Sequence, residues 1–261
     1  MPVAGNIQVL GAVFQGPMTF VVPDFQRNYA WEDEQIDSLL EDISIGAESA
    51  NSHFIGSLII LIDPLHPRIA QVIDGQQRLT TIFMTVACLR DYVAFSPSGI
   101  LQREGAPDID VLDQLNRFLF SFDDDSFKQK DRFQAHPMIA DMFSDQILAH
   151  PLPNRPQLPK QHHTYSRRLR SAHRRIKRWP AEEMKRQDDI RKESGLEPLN
   201  DSEKLAWVLR VLNVLNQKIT MLQISTQDEV ESFDIFMSLN STGKNLGPAD
   251  LVKSHIFSRL T

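Results

Sequence analysis

The apolar pattern of this chain changes its period at Gly75, and no other feature of the sequence constrains the fold as much. Before the glycine, two runs rich in β-branched residues, 54–62 and 69–73, are separated by a loop with two prolines, which predicts a hairpin or two adjacent strands. After it, apolar residues recur at steps of three and four, which predicts a helix with one buried face. The sequence therefore predicts a strand that ends in Asp-Gly and leads directly into a helix.

The rest of the chain begins with mixed elements and then becomes mainly helical. We predict a short strand at 20–22 and a helix over 32–45, and later a strand at 219–224 before a helix over 230–239. Further helices are predicted at 111–120, 138–149, 165–179, 202–215 and from 248 onwards. This order predicts an α+β fold, with a small mixed sheet and its helices followed by a mainly helical subdomain.

Composition narrows the class of protein. With 261 residues, of which 41% are hydrophobic and 24% charged, the chain can bury a core. The single cysteine, Cys88, excludes a disulfide framework and a cysteine metal cluster, so a reducing, cytoplasmic setting is predicted. The longest apolar run, 54–62, is shorter than the roughly 20 residues of a membrane span, so we expect no membrane partner. The formal net charge of -6 argues against a wholly cationic nucleic-acid-binding protein.

The segment VIDGQQRLTT around this junction has the chemistry of an anion-binding site. A strand that leads into a helix leaves unpaired backbone N–H groups and the positive end of the helix dipole at one point. Gly75 permits a positive φ and a close backbone approach. Arg78 can hold a phosphate through two hydrogen bonds, and Gln76 and Gln77 can donate further ones.

Asp74 needs a separate role, because its carboxylate would repel a bare phosphate. It can hold Mg²⁺, orient a water molecule or fix Arg78. The alternative is that Asp-Gly only makes a turn, that Arg78 pairs with Asp74, and that nothing binds there. The spacing alone leaves both interpretations open.

Two further polar clusters are candidates for contact with the same ligand. The segment VPDFQRNYAW, 22–31, mixes aromatic residues with Gln26 and Arg27, as pockets do that stack on a base and hold a phosphate. Its aromatic residues can instead fill the core, with Arg27 in water. In a glycine-rich segment, 238–257, the candidate ligand contacts are Asn240, Gly243, Lys244 and Lys253.

A basic segment that is predicted to be helical gives the chain a candidate DNA surface. Between Lys160 and Arg178 there are many basic residues and no Asp or Glu, while apolar residues recur at helical spacing. One stripe is expected to pack and the remaining face to be cationic, which suits a phosphate backbone. The alternative is a solvated face that acidic neighbours balance. The arginines predicted to contact DNA are Arg167, Arg168, Arg170, Arg174, Arg175 and Arg178.

Four segments in this order resemble the N-terminal domain of the GmrSD-type modification-dependent restriction proteins. They are VPDFQRNYAW, HFIGSLIIL, VIDGQQRLTT and FMSLNSTGKNLGPADLVKSHI. The resemblance covers residues 22–81 and 233–257, with a helical middle that matches weakly, and it is closest to the branch of Ssp phosphorothioate-sensing effectors. It implies a ParB/sulfiredoxin-like core in which the DGQQR residues support binding and hydrolysis of a nucleoside triphosphate, coupled to sensing of modified foreign DNA.

The resemblance also assigns roles to individual residues. The implied catalytic residues are Asp74, Gln76, Gln77 and Arg78, with Asp74 also the candidate ligand of Mg²⁺. The residues predicted to bind the nucleotide are Gly75, Gln26, Arg27, Thr80, Asn240, Lys244 and Lys253. For the Ssp-like branch, the implied substrate is GTP.

The kind of modification remains open at the level of the sequence. A phosphorothioate carries a larger and softer sulfur in place of one oxygen, so its site should combine cationic anchoring with an apolar or aromatic wall. Tyr29 and Trp31 are the aromatic residues predicted to contact DNA. A glucosylated or hydroxymethylated base would instead require an open polar pocket with stacking.

These interpretations give a domain organisation and a set of partners. We predict a nucleotide-hydrolysing core at 1–95, a helical subdomain with the basic helix at 96–218, and a return segment at 219–261 that completes the core. The sequence contains no H-x-E or histidine-cysteine metal constellation, so we expect an HNH-type nuclease domain to be absent and no nuclease activity in this chain. The predicted partners are modified double-stranded DNA and the C-terminal nuclease domain of the full-length protein, and a homodimer remains open. Two alternatives are a non-catalytic DNA-binding module gated by nucleotide, and an interaction protein whose helical middle docks a partner.

Overall fold

A computed structural model of the protein describes residues 4–14, 16–48, 51–95, 109–123, 128–149 and 164–241. The strands are β1 (Ala4–Val9), β2 (Thr19–Val21), β3 (His53–Ile62), β4 (Ile69–Asp74), β5 (Phe120–Asp123), β6 (Lys128–Asp131), β7 (Phe133–Gln134) and β8 (Ile219–Thr226). The α-helices are α1 (Leu10–Val13), α2 (Asp33–Glu48), α3 (Gln76–Phe95), α4 (Ile109–Leu119), α5 (Ala140–Phe143), α6 (Thr164–Glu193), α7 (Asp201–Gln217) and α8 (Glu229–Ser241). A 3₁₀ turn at Pro137–Ile139 and a π turn at Ser144–Leu148 flank α5.

Six strands form one mixed sheet in the order β1-β8-β3-β4-β2-β7, and β5 pairs with β6 in a separate hairpin. The β1–β8 and β3–β4 pairs are antiparallel, whereas β8–β3, β4–β2 and β2–β7 are parallel. The predictions of an α+β fold with a mixed sheet and of a β3–β4 hairpin are therefore confirmed. The late strand β8 lies between β1 and β3, which brings the two ends of the described chain together in the sheet.

The two faces of the sheet bury different side chains, because successive residues of a strand point to opposite sides. On one face, Leu58 and Val72 belong to a large core that also contains residues of α3, α6 and α7. On the other face, Ile59, Ile73 and Ile224 form a smaller cluster against which residues of α8 pack. The sheet is thus covered on both sides around the β3–β4 hairpin. The domain boundaries at 95 and 218 stay a prediction.

Helix α3 is buried on all sides along most of its length, which corrects the prediction of one buried face. Every residue from 79 to 90 is buried, because α4 and α6 pack against the helix in addition to the sheet. The buried hydroxyls of Thr81 and Thr85 donate to the carbonyl oxygens of Gln77 and Thr81, each at 2.8 Å. These two hydroxyls are therefore hydrogen-bonded without water. The periodicity of the apolar residues did not reveal these polar positions as buried.

Helix α6 runs through Pro180 to Glu193, whereas the sequence predicts its end at Trp179. A proline inside a helix removes one hydrogen bond and normally breaks the helix. Here Trp179 and Met184 are both buried, so packing on either side of the proline holds the helix together. The predicted helix over 138–149 is instead divided into the 3₁₀ turn, α5 and the π turn.

Several short elements were not predicted, and one predicted helix lies outside the described residues. Strands β5, β6 and β7 have four residues or fewer, and β1 begins with Ala-Gly-Asn, so none of them contains an apolar pattern long enough to predict a strand. The helix predicted from 248 onwards falls in the part of the chain that the structure does not describe. Among the described helices, none has a stretch that is both long and apolar enough for a bilayer.

Candidate anion-binding site

Gly75 connects the end of β4 to the start of α3 with a left-handed backbone. Its φ is +94°, as the sequence predicts for this junction. A Cβ at this position would lie 3.0 Å from the carbonyl oxygen of Ser57 on the neighbouring strand. Glycine is therefore required both by the conformation and by the close approach of β3. The first N–H groups of α3 have no partner within the helix and point towards the turn before it.

Arg78, in the first turn of α3, lies against the backbone of β3. Its guanidinium covers Gly56, where an added Cβ would lie 3.0 Å from Cζ, and its Nη1 donates a hydrogen bond to the carbonyl oxygen of Ser57. Gly56 has a φ of +109° and lies in the stretch between Phe54 and Ser57 where the pairing of β3 with β8 is irregular. Because Gly56 has no side chain, the guanidinium of Arg78 can lie directly on this irregular part of β3.

Ser57 holds both charged side chains of the junction. Its hydroxyl donates to Oδ2 of Asp74 at 2.6 Å, while its carbonyl accepts from Arg78. Ser57 therefore links the two side chains, and the negative charge of Asp74 also acts on Arg78. Ser57 and Gly56 were not predicted as site residues, although this Gly-Ser pair interrupts the apolar run of β3.

The electrostatics of Arg78 follow from its half-buried position. Burial lowers the pKa of Arg78, and the negative charge of Asp74 opposes that shift. The guanidinium nevertheless stays charged at neutral pH, because arginine does not lose its proton in proteins. A desolvated cation that is held by one carbonyl oxygen has further N–H groups to donate, which makes this position favourable for an anion.

The side chain of Gln77 binds the segment that precedes α2 and is not directed at a ligand. Its Oε1 accepts from the backbone N–H of Ala30 at 2.7 Å, and its Nε2 donates to the carbonyl of Asn28 at 3.1 Å. From the same segment, Gln26 donates to the carbonyl oxygen of Ile73 at 2.9 Å. These three hydrogen bonds bring the two polar clusters of the sequence together, and they use amide groups that we predicted to contact the ligand.

Two amide oxygens at this contact are buried without a partner among the described residues. They are Oε1 of Gln76 and Oδ1 of Asn28. An unsatisfied buried acceptor costs free energy, so each is a place where a bound water or ligand donor would stabilise the site. Thr80 is different, because its hydroxyl is buried and donates to the carbonyl of Gln76 at 2.8 Å. We therefore correct its prediction as a direct nucleotide contact.

The aromatic residues of the 22–31 segment divide between the core and the surface. Tyr29 is 2% exposed, and its hydroxyl forms a hydrogen bond of 2.9 Å with Thr81. Burial raises the pKa of Tyr29, with the Thr81 hydrogen bond as a smaller opposing effect. Tyr29 is thus a core residue, which corrects its prediction as a DNA contact. Trp31 is only partly buried, and Arg27 is exposed.

The basic helix α6 has the predicted buried stripe, but some of its arginines are already paired. Arg168 contacts Glu32 at 2.9 Å, and Arg175 contacts Asp37 at 2.6 Å. Acidic neighbours thus balance these two arginines in the free protein, and their contact with DNA stays a prediction. Arg170 is half-buried. The exposed arginines of α6 for which the described residues provide no ion pair are Arg167, Arg174 and Arg178.

Several predicted ligand contacts lie outside the residues that the structure describes. Lys244 and Lys253 lie outside the described residues, as does the side chain of Asn240. Within the described residues, no group of three or more His, Cys, Asp or Glu side chains is arranged to hold a metal. That Asp74 holds Mg²⁺ therefore stays a prediction, which would need phosphate oxygens and water as the other ligands.

We expect Gly56→Ala to destabilise the protein through two effects that a control variant separates. The methyl group would force a positive φ on alanine and would lie 3.0 Å from Arg78. We expect the free energy of unfolding, measured by urea denaturation, to fall by about 2–4 kcal/mol, from backbone strain and loss of the Arg78 hydrogen bond. Gly16→Ala, at a φ of +95° with nothing within 4 Å, should lose only the strain. Equal losses in both variants would show that Arg78 is not displaced.

Fold and junction together define an α+β domain with a candidate anion site where a strand enters a helix. The model of one protein family, the N-terminal domain of the GmrSD restriction endonuclease, matches residues 8–257. The chain therefore belongs to this family, as four of its segments predicted, and its role is in restriction. No curated protein matches the chain.

Proposed function

We propose that this chain is a nucleoside-triphosphate-hydrolysing sensor domain of an anti-phage restriction effector. It would recognise modified DNA and regulate cleavage by a nuclease domain of the full-length protein. The observation that carries the proposal is the position of Arg78, a half-buried cation in the first turn of α3 with Asp74 beside it. A cation and free helix N–H groups at one point suit a phosphate group.

The residues of the junction have separate tasks in the proposed hydrolysis. The N–H groups at the start of α3 bind the phosphates, and Arg78 neutralises the charge that develops when water attacks the γ-phosphorus and the bond to the bridging oxygen breaks. The free acceptor Oε1 of Gln76 can orient the attacking water. Asp74 would hold a magnesium ion, which when bound neutralises phosphate charge. Gln77 was predicted to be catalytic, but here we assign it the task of positioning the 22–31 segment, because its amide binds the backbone of that segment.

The exposed arginines of α6 support the DNA part of the proposal. Arg167, Arg174 and Arg178 present positive charge to solvent, and such groups bind the phosphate backbone with an affinity that falls with salt. The partly buried Trp31 offers an aromatic surface near the same helix, since Arg168 contacts the neighbouring Glu32. We propose a phosphorothioate as the modification and GTP as the substrate, because the sequence resemblance to the Ssp-like branch implies both.

A hydrolysis screen tests this function directly. We would measure phosphate release by the 261-residue chain with each of four nucleoside triphosphates, with Mg²⁺, and with no DNA, unmodified duplex or phosphorothioated duplex. We expect turnover with GTP above the others and a change in rate with the phosphorothioated duplex. Binding without turnover would favour a nucleotide-gated DNA-binding module. Absence of both nucleotide binding and salt-dependent DNA retention would favour an interaction protein.

A further inference from the structure

We infer that Arg168 is a positioning residue that couples DNA bound on α6 to the start of α3, through the backbone of Ala30. The inference rests on the proposed function, since it assigns a route between the two sites. Arg168 belongs to the predicted DNA surface, and Ala30 belongs to the segment that docks on the junction.

The backbone of Ala30 connects α6 to α3, through its carbonyl oxygen and its N–H group. On one side, Nη1 of Arg168 donates to the carbonyl oxygen of Ala30 at 3.3 Å, and Nη2 donates to Glu32 at 2.9 Å. On the other side, the N–H of Ala30 donates to Oε1 of Gln77 at 2.7 Å. The same side chain of Gln77 donates to the carbonyl of Asn28 at 3.1 Å. Ala30 is therefore held between the basic helix and the first turn of α3.

The contact with α6 is of the kind that a phosphate can replace. The side chains of Arg168 and Glu32 are 44% and 68% exposed, and ion pairs this exposed contribute little to stability. A guanidinium binds a phosphate group well, through two parallel hydrogen bonds. When a phosphodiester takes Arg168, the carbonyl of Ala30 loses its donor on α6 while its N–H stays on Gln77.

The consequence reaches the candidate site because Gln77 lies between Gln76 and Arg78 in the first turn of α3. A segment released from α6 keeps its contacts with Met138 and Thr81 and its hydrogen bonds to Gln77. The loss of the Arg168 contact therefore changes the restraint on the backbone next to Gln77, so that Ala30 and Gln77 can shift together. Arg175 provides a comparison within the molecule. It has a similar exposure and binds Asp37 through two hydrogen bonds, but that contact joins α6 to α2 and does not involve the Ala30 segment.

Amide hydrogen exchange at Ala30 tests the coupling without requiring turnover. In the wild-type chain, we expect saturating phosphorothioated duplex to change the exchange rate of the Ala30 N–H by up to about fivefold, the range that loss of an exposed ion pair allows. We expect Arg168→Ala to abolish this change. Arg175→Ala should weaken DNA binding to a similar extent but keep the change once DNA is saturating. A DNA-dependent change that survives in Arg168→Ala, or none in the wild type, would overturn the inference.

Glu32→Gln tests whether a DNA phosphate replaces Glu32 as the partner of Arg168. Removing the carboxylate leaves Arg168 on the Ala30 carbonyl with no competing anion, so the DNA concentration for the half-maximal change at Ala30 should fall about two- to fivefold. An unchanged DNA concentration would contradict the replacement of Glu32 by phosphate.

Failure of the coupling and failure of the proposed function are distinguishable. The hydrolysis screen tests only the proposed reaction, whereas amide hydrogen exchange at Ala30 tests only the coupling.

Discussion

Arg78→Ala is expected to lower the rate of the proposed nucleotide hydrolysis by about 100- to 1000-fold, the usual effect of removing one group that stabilises transition-state charge. The guanidinium lies on Gly56 and is held by the carbonyl of Ser57, so its charge is fixed in place before the substrate binds. A fixed charge needs no rearrangement during the reaction. The measurement is phosphate release at saturating GTP, with binding of a non-hydrolysable analogue followed separately.

Two variants make this result specific to Arg78. Arg78→Lys keeps a positive charge but loses the planar donors, so we expect it to restore only a small part of the rate. Arg210→Ala removes an exposed arginine from α7 and should hydrolyse at the wild-type rate. If Arg78→Ala bound the analogue normally and turned over at the wild-type rate, Arg78 would have no part in the reaction.

Arg90→Met is expected to cause the largest loss of stability of any variant considered, about 3–5 kcal/mol in the free energy of unfolding. The side chain is 0% exposed, and it donates to the carbonyl oxygens of Ile147, Leu148 and Ala149 at 2.7–3.2 Å. Ile147 and Leu148 are the last two residues of the π turn, where carbonyls lack a following N–H within the turn, and Ala149 comes directly after it. Arg90 also contacts Asp91 at 3.1 Å, so methionine would leave a carboxylate and several carbonyls without this donor.

The control for Arg90 is an arginine in an exposed ion pair. Arg117 contacts Asp113 at 2.8 Å, with side chains 79% and 48% exposed. Arg117→Met should therefore cost about 1 kcal/mol or less. Both variants are measured by urea denaturation of the same chain. A loss below about 1 kcal/mol in Arg90→Met would show that other groups satisfy these carbonyls without the arginine.

Much of the fold was predictable because its signals are local. The β3–β4 hairpin and the strand-to-helix junction at Gly75 follow from a change of apolar period within a few residues. The buried stripe of α6 likewise follows from the spacing of residues such as Leu169 and Ile176. The predicted end of that helix was wrong, because packing around Pro180 outweighs the local preference of proline.

The candidate site was predictable only in part. The sequence predicted that Gly75 and Arg78 lie together at the strand-to-helix junction, but not that Ser57 holds Arg78 and Asp74 together. That contact depends on the register of β3 against β4, in which Asp74 pairs with Ile59, and the apolar pattern of the two strands does not specify that register. The burial of Tyr29 was equally hidden, because an aromatic residue beside Arg and Gln gives the same local signal in a pocket and in a core.

The sequence by itself determined which residues carry charge, which turns need glycine, and which segments form strands and helices. The tertiary structure alone decided which of these polar groups remain available. It assigns Gln77 to the backbone of Ala30, Arg168 to Glu32, and leaves the guanidinium of Arg78 against β3. The physical reason is that a hydrogen bond or ion pair forms with whichever partner the packed elements bring within about 3 Å, and residue spacing contains no record of that partner.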